Sequence, residues 1–405
     1  MLKFDANLFS NIPLYKDFIN EDGLSISKIK SLPFFSKEDI ARDFPSGFMN
    51  ADLKNAINDS NVEYATTSGT SGLQLNIIRE KNWWIPEYQQ AYSKNKQLSR
   101  IIDGNRRIAF LTTAVCSSGV CHISNPSYQE RINFDFLSLN LTADPNSWTK
   151  EDILRMHNEI VDYSPGILQA DPLYLLIFLM KWHKYFPDKI LYQPSAIVLS
   201  YEYLHRGCKK FISDNYRCEV FSAFGSTELG FLFIEDENHD LVRTSESEII
   251  EFIPVCENIY EVVVTSWKNK YMPFVRYTTG DLIELGENTA LADGGIDFNK
   301  IGKMVFHGRK RELINGINNQ KISISMIDDI IFNVEPDLVM YKIKIIKSDS
   351  VIIEGILKDR KPKERLALSF SKALSSFDTI FSQVKFIKVN SISPSTSGKF
   401  SLITY

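Results

Sequence analysis

Five polar segments concentrate the chemistry of this sequence. TTSGTSG, Thr66–Gly72, is dense in hydroxyls and glycines. Glycines let a backbone turn tightly and come close to a ligand, and amides with the hydroxyls of Thr67, Ser68, Thr70 and Ser71 can donate to phosphate oxygens. No Lys follows, so it is not the nucleotide loop that ends in Gly-Lys-Ser/Thr, and alone it reads more readily as a plain surface loop. SAFGSTELG, Ser222–Gly230, follows CEVF, a predicted strand, and offers Glu228 to a hard cation such as Mg²⁺. The plainer alternative is a solvated carboxylate in a strand-end turn. In MPFVRYTTGDLIEL, Met272–Leu285, Asp281 follows Gly280 and suits a carboxylate accepting from two ribose hydroxyls; a β-turn between strands is the alternative. Arg309 in HGRKRELINGINN can meet phosphate or ribose, or belong to a basic linker. Lys399, behind Gly398 in SPSTSGKFSLITY, can meet a phosphate as a point charge or stay solvated.

Strands and helices must position these groups. IAFLTTAV (Ile108–Val115), SAIVLS (Ser195–Ser200) and YEVVVTSW (Tyr260–Trp267) read as strands. TKEDILRMHNEIV (Thr149–Val161) and PLYLLIFLMKWHKYF (Pro172–Phe186) read as helices between the first two, so the body is expected to be α/β. Ser36, followed by Lys37, Glu38 and Asp39, is a candidate N-cap. Beyond His307–Arg309 the pattern becomes helix (Ser323–Asn333), strand (Tyr341–Lys347), strand (Val351–Leu357), helix (LALSFSKALSSF) and strand (Val384–Val389). The expected division is therefore 1–307 as a large domain and 308–405 as a small α+β domain with its own core.

Composition narrows the class. At about 100–200 residues per domain, 405 residues make two or three domains. Hydrophobic residues at 44% and charged residues at 24% exclude wholesale disorder. The longest strongly apolar run, Leu173–Met180, is far short of the about 20 residues that cross a bilayer, so no membrane association is expected. The N-terminus shows no secretory signal pattern. Five scattered cysteines argue against a disulfide framework, and a cytoplasmic setting is expected. The net charge is −4, which counts against a nucleic-acid binder. Residues 341–405 carry 12 Lys and Arg against 5 Asp and Glu, a local +7 that leaves −11 on the rest.

Taken together the segments are more specific than any one of them. Thr67, Glu228, Asp281, Arg309 and Lys399 fall in this order, 161, 53, 28 and 90 residues apart. The sequence here resembles the acyl-adenylate-forming superfamily of acyl-CoA ligases and adenylation enzymes over nearly its whole length. TTSGTSG is similar to its phosphate loop, FGSTELG to its Mg²⁺-binding run, RYTTGD to its ribose motif, GRKRELINGIN to its hinge and PSTSGK to its terminal lysine motif. IPLYKDFI and LSISKIKSLPFFSKEDIARDFP resemble the helical lead-in of the phenylacetate–CoA ligase-like branch.

The resemblance implies a large α/β domain and a small mobile C-terminal domain. It implies an enzyme that joins a carboxylic acid to AMP, using ATP and Mg²⁺, and then passes the acyl group to a thiol of CoA or phosphopantetheine. Lys399, Glu228 and Thr227 would be catalytic, with Glu228 on Mg²⁺. ATP or AMP would be held by Thr67, Ser68, Gly69, Thr70, Ser71, Gly72, Ser200, Tyr201, Glu202, Ser222, Ala223, Phe224, Gly225, Ser226, Thr227, Asp281 and Arg309. SYE, Ser200–Glu202, falls where the family lines adenine.

Three departures stand out. Gln74 and Leu75 replace the Pro-Lys that often ends the phosphate loop. Arg311 stands where the hinge carboxylate is usual, with Glu312 next. FLFIEDENHDL offers only His239 and carboxylates where some branch members carry a Cys/His metal site, so no zinc is expected.

The acyl pocket is expected to be lined by Cys116, Ser117, Gly119, His122, Ala223, Phe224 and Gly225, with Asp135 as a candidate partner for a substrate amine. CSSGVCH could also bind metal or carry an acyl group, or simply form pocket wall. Branch analogy favours an aromatic or small hydrophobic acid. Six residues follow Lys399, so the expected acceptor is separate, CoA or a carrier protein, and a homodimer is possible. Open alternatives are a stand-alone amino-acid or aryl-acid adenylation enzyme, an acyl-protein synthetase, and a degenerate nucleotide-binding protein.

Overall fold

A computed structural model of the chain describes residues 6–19, 26–67, 73–112, 126–286, 291–292, 295–296, 303–317, 320–347, 350–358, 365–395 and 398–405. The chain forms two compact units, each built from two stretches: one runs to Ser99 and resumes over Ala223–Val305, the other comprises Arg100–Ser222 and Phe306–Tyr405. Each has its own apolar core. The architecture is α/β, as the alternation of strand and helix predicts.

In the first unit, Ser36 opens the helix Lys37–Arg42 with a reciprocal cap: its hydroxyl accepts from the Asp39 amide, and the Asp39 carboxylate accepts from the Ser36 amide at 2.9 Å. Strands Val62–Thr66 and Asn76–Glu80 pair antiparallel. They bracket the loop that holds Ser68–Gly72, which lie outside the described residues. Strands Glu248–Cys256, Ile259–Ser266 and Phe274–Glu284 follow one another in an antiparallel sheet. Val262, Val263 and Val264 are all buried, so the middle strand is covered on both faces. Arg276 ties the helical lead-in to this sheet. Its guanidinium grips Glu251 through two bonds of 3.0 Å and donates to the carbonyls of Lys30 and Leu32.

In the second unit, Ile108–Leu111, Phe136–Ser138, Ile167–Ala170, Ala196–Leu199 and the first half of Glu219–Ser226 form a parallel array. Such strands are buried on both faces, and Ile167–Ala170 and Ala196–Leu199 are buried at every position. Helix Lys150–Tyr163 starts at Thr149, with Asp152 closing a capping box. Helix Pro172–Tyr185 starts at Asp171, whose carboxylate accepts from the amides of Leu173 and Tyr174, and Pro172 takes the first turn, where its missing N–H costs nothing. Leu173 to Leu179 are buried without a break, the mark of a helix surrounded by protein rather than lying on a surface.

The same unit contains the C-terminal stretch. Leu338–Lys347 pairs antiparallel with Ser350–Leu357, Gln383–Lys388 adds parallel to the latter and Ile403–Thr404 parallel to the former. Helices Ile324–Val334 and Leu366–Ser375 complete it. The sequence places all of these except the last two-residue strand. Helix Arg206–Asn215 approaches Leu338–Lys347 so closely that a Cβ on Gly207 would lie 2.1 Å from the Leu338 carbonyl oxygen.

Two motifs differ in local form from the sequence reading. The strand Glu219–Ser226 continues through most of FGSTE rather than ending before it. RYTTGD lies wholly within the strand Phe274–Glu284 and is not a turn: Gly280, at φ +74, absorbs a register shift against Ile259–Ser266 and lets the strand go on. Among the described residues, no helix is long and apolar enough to cross a membrane.

The Gly207 contact yields a test. Gly207→Ala is expected to lower the unfolding free energy of the second unit by about 1–3 kcal/mol, the usual cost of overpacking, read by urea denaturation. A variant as stable as wild type would mean that helix and strand do not sit this close.

Candidate functional site

The described candidate residues divide between the units. Thr67, Ala223, Phe224, Gly225, Ser226, Thr227, Glu228 and Asp281 belong to the first; Asp135, Ser200, Tyr201, Glu202, Ser222, Arg309 and Lys399 to the second. Ser68, Gly69, Thr70, Ser71, Gly72, Cys116, Ser117, Gly119 and His122 lie outside the described residues.

In the first unit, Thr67 closes the neck of the Ser/Thr/Gly loop. Its amide donates to the Leu75 carbonyl at 2.9 Å and its hydroxyl accepts from the Leu75 amide at 2.9 Å. The Thr67 hydroxyl is thus engaged by the Leu75 backbone.

Thr227, Glu228 and Leu229 form a three-residue turn between Ser226 and Gly230, which face each other across the hairpin. Two glycines make it possible. A Cβ on Gly225 would fall 2.2 Å from the Gly230 carbonyl oxygen, and Gly230 itself holds φ +72 against the Glu87 carboxylate. The Ser226 hydroxyl accepts from the Leu229 amide at 3.3 Å. Arg79, buried between Trp83 and Trp84 and bonded to Glu63 at 2.6 Å, reaches the Thr227 carbonyl at 3.4 Å.

Glu228 accepts a hydrogen bond from the Tyr277 hydroxyl at 2.9 Å. Burial, reinforced by the charges of Glu228, Asp281 and Glu38, pushes the Tyr277 phenol well above its ordinary value. The phenol therefore stays neutral and orients the carboxylate without cancelling its charge. One carboxylate oriented in this way fits Mg²⁺, which commonly takes one or two carboxylates and completes its shell with waters and substrate phosphates. Among the described residues no group of three His, Cys, Asp or Glu could hold a metal ion. Asp281 is set by its neighbour: its amide donates to the Thr279 hydroxyl at 3.1 Å, and that hydroxyl donates to the Val262 carbonyl at 2.8 Å.

In the second unit the candidates gather at the carboxyl ends of the parallel strands, where open α/β sheets bind their ligands. Ser200–Glu202 follow Ala196–Leu199, and Asp171 follows Ile167–Ala170. Gln169 donates to the Ser200 hydroxyl at 3.1 Å and to the Tyr201 hydroxyl at 3.3 Å. Tyr201 holds φ +84, in the left-handed region that a bulky residue rarely enters. Lys399 Nζ donates to the Tyr201 carbonyl at 3.4 Å. The Phe400 amide donates to Glu202 Oε1 at 2.7 Å, and the Tyr174 hydroxyl to the Gly398 carbonyl at 3.0 Å.

Glu202 and Asp171 are both withdrawn from water. Among the described residues, Glu202 Oε2 and Asp171 Oδ2 are buried without a hydrogen-bond partner. Burial raises the Glu202 carboxyl well above the usual carboxylate range and the Asp171 charge adds to this, while Lys399, the Phe400 amide and Arg309 act in the opposite sense. Burial likewise raises Asp171 to about 7 against its two amide donors and the Lys399 charge.

Asp135 does not join this group. It is exposed between Ile132–Asn133 and Phe136–Ser138, before its strand begins and so at the opposite end of the sheet from the Ser200–Glu202 segment. Asp171, Gln169, Tyr174 and Tyr277 were missed by the sequence reading. The Asp-Pro that opens an apolar helix could have pointed to Asp171; nothing local marks the others.

Asp171 has a pH signature. Its folded value lies above the 3.8 of an ordinary Asp, so between about pH 4 and pH 7 the folded chain keeps a proton that the unfolded chain has released. This contribution to stability is fully present below 3.8 and is lost as pH rises toward 7. Asn keeps the capping oxygen without the charge. The Tm of Asp171→Asn minus that of wild type is expected to increase from pH 5 to pH 8 in the variant's favour; a gap that stays flat would refute the assignment.

Comparisons with known proteins agree on the fold. No family model matches the sequence. A fumarate–(S)-2,3-diaminopropanoate ligase from Enterobacter agglomerans is 21% identical over 295 residues, covering 69% of this chain and 67% of its own. The crystal structure of a 2-hydroxyisobutyryl-CoA ligase in the postadenylation state, in complex with an acyl-AMP, superposes with a TM-score of 0.67 at 14% identity, covering 98% of this chain and 86% of that one. An anthranilate CoA ligase in complex with anthranoyl-AMP gives 0.56 at 11% identity, covering 84% of this chain and 65% of that one. The chain therefore shares the fold of these acyl-CoA ligase structures.

Proposed function

We propose that this protein adenylates a carboxylic acid and passes the acyl group to a nucleophile. The observation that carries this reading is the seat of Lys399. The lysine of the terminal motif is held at the carboxyl ends of the parallel strands, against Tyr201, within the segment that resembles the adenine-lining one. In the first half-reaction a carboxylate oxygen attacks the α-phosphorus of ATP. The bond to the β-phosphate bridge breaks and pyrophosphate leaves. Two anions must meet for this, so the Lys399 ammonium compensates charge at the α-phosphate. A charge placed in advance at such a centre is typically worth about 10²–10³ in rate. Mg²⁺ bound through Glu228 would neutralise phosphate charge there. In the second half-reaction a thiol attacks the acyl carbon, the carbon–oxygen bond to AMP breaks, AMP leaves and the thiol proton passes to solvent.

The remaining roles follow the family pattern. Thr67–Gly72 cradle the outer phosphates, Asp281 holds the ribose, Arg309 faces phosphate or ribose, and Ser200 and Tyr201 with Ser222–Thr227 surround the nucleotide. Residues 308–405 serve as the module that moves between half-reactions, although in this conformation they share a unit with Arg100–Ser222. The acid is aromatic or small and hydrophobic, consistent with the anthranoyl and 2-hydroxyisobutyryl groups of the structural neighbours. The acceptor is CoA or a phosphopantetheinyl carrier protein. The Enterobacter agglomerans relative is a ligase of fumarate and (S)-2,3-diaminopropanoate, which favours an amine acceptor as the second reading.

Pyrophosphate release with anthranilate, phenylacetate, 2-hydroxyisobutyrate, fumarate and a wider acid panel tests the first step. Adding CoA, a loaded carrier protein or 2,3-diaminopropanoate to the productive acid separates the acceptors. Silence with every acid would overturn the reading. Lys399→Ala is expected to lose at least about 100-fold in adenylation with ATP binding nearly unchanged; a variant at the wild-type rate would remove Lys399 from the mechanism.

A further inference from the structure

We propose that Glu202 is the positioning residue for Lys399, clamping the backbone one residue beyond the lysine so that its ammonium is held at the reacting centre. This rests on the adenylation reading and deepens it. The resemblance assigns Glu202 to the adenine pocket, yet in the structure one of its oxygens already has another occupation. Glu202 Oε1 accepts from the Phe400 amide at 2.7 Å, a contact spanning 198 residues of sequence.

Three further contacts fix the same short segment. The Tyr174 hydroxyl, shared with the Ala143 carbonyl, lies 3.0 Å from the Gly398 carbonyl, Gly398 holds φ +79, and its amide donates to the Ser395 carbonyl at 2.9 Å. The Phe400 ring is buried, edge-on to Tyr174 at 6.3 Å. Lys399 thus lies between two anchored neighbours. Its side chain reaches the carbonyl of Tyr201, the residue before Glu202, so the clamp and the lysine's own contact come from consecutive residues.

The left-handed backbone of Tyr201 belongs to the same arrangement, because it sets where that carbonyl and the following carboxyl point. A buried carboxyl oxygen without a partner is costly to keep. Glu202 Oε2 is such an atom, and Asp171, with Oδ2 in the same condition, acts on Glu202 electrostatically. A residue that only lined a pocket wall would be better served by an apolar side chain. An acid held here for the Phe400 amide and the Lys399 charge accounts for its presence.

The test compares Glu202→Met, which keeps the volume and removes the acceptor, with Glu202→Gln, which keeps an acceptor oxygen. Glu202→Ala serves as a second variant should Met pack poorly. Hydrogen–deuterium exchange of peptide 398–405 in the full-length protein is expected to speed up at least tenfold in the Met variant and to return close to wild type in the Gln variant. With whichever panel acid releases pyrophosphate, kcat for adenylation is expected to fall at least tenfold in the Met variant, with KM for ATP within twofold and kcat largely restored in the Gln variant. Unchanged exchange in the Met and Ala variants overturns the clamp. A raised KM for ATP with unchanged kcat overturns it in favour of an adenine-lining role. A wild-type protein silent with every acid defeats the adenylation reading instead, and exchange alone then decides whether Glu202 holds the segment.

Discussion

Two carboxyl groups are kept out of water at the carboxyl ends of the parallel strands, and the second unit is arranged around that constraint. Transfer of an ionised carboxylate from water to a protein interior is so unfavourable that the group either keeps its proton or finds a counter-charge. Asp171 meets this partly by capping Pro172–Tyr185, where two amide donors and the positive end of the helix face it. Glu202 has no helix end of its own and depends on the Phe400 amide and on the charges of Lys399 and Arg309. The segment that delivers the lysine is therefore also the segment that makes the buried acid tolerable. Electrostatics and docking of the C-terminal chain are one interaction seen from two sides.

The first unit follows a different logic, in which backbone geometry comes first. Gly225 and Gly230 sit where a Cβ would strike the facing chain, so the Thr227–Leu229 turn can be tight. That tightness sets Glu228 against Tyr277, whose neutral hydroxyl orients it. Gly280 does similar work in a different sheet. By absorbing a register shift it keeps Asp281 in a continuous strand, braced by the Thr279 hydroxyl. Asp281 lies inside a strand and Glu228 in a tight turn between two paired strands, so paired backbone limits how far either carboxylate can move.

Much of this is legible in the sequence. Apolar runs bounded by polar residues marked the strands at Ile108, Ala196 and Ile259, and the cap at Ser36 was readable because capping acts within four residues of chain. The continuation of strands through FGSTE and RYTTGD was not, because glycines and hydroxyls signal turns locally and only pairing with a neighbouring strand overrides that signal. Asp135 looked as suitable as Asp281 by type. Sheet topology separates them, since one follows a glycine bulge inside a strand and the other precedes its strand at the opposite end of the parallel array.

The sequence by itself determined which chemical groups are present, their order, and the elements that carry them, because these depend on residue type and on periodicities a few residues long. Tertiary structure alone decided which groups meet. Tyr277 finds Glu228 across 49 residues and Phe400 finds Glu202 across 198, and no local pattern encodes either pairing. Such contacts arise only when sheets and helices close-pack and bring distant backbone together, and burial then fixes which acids need a partner.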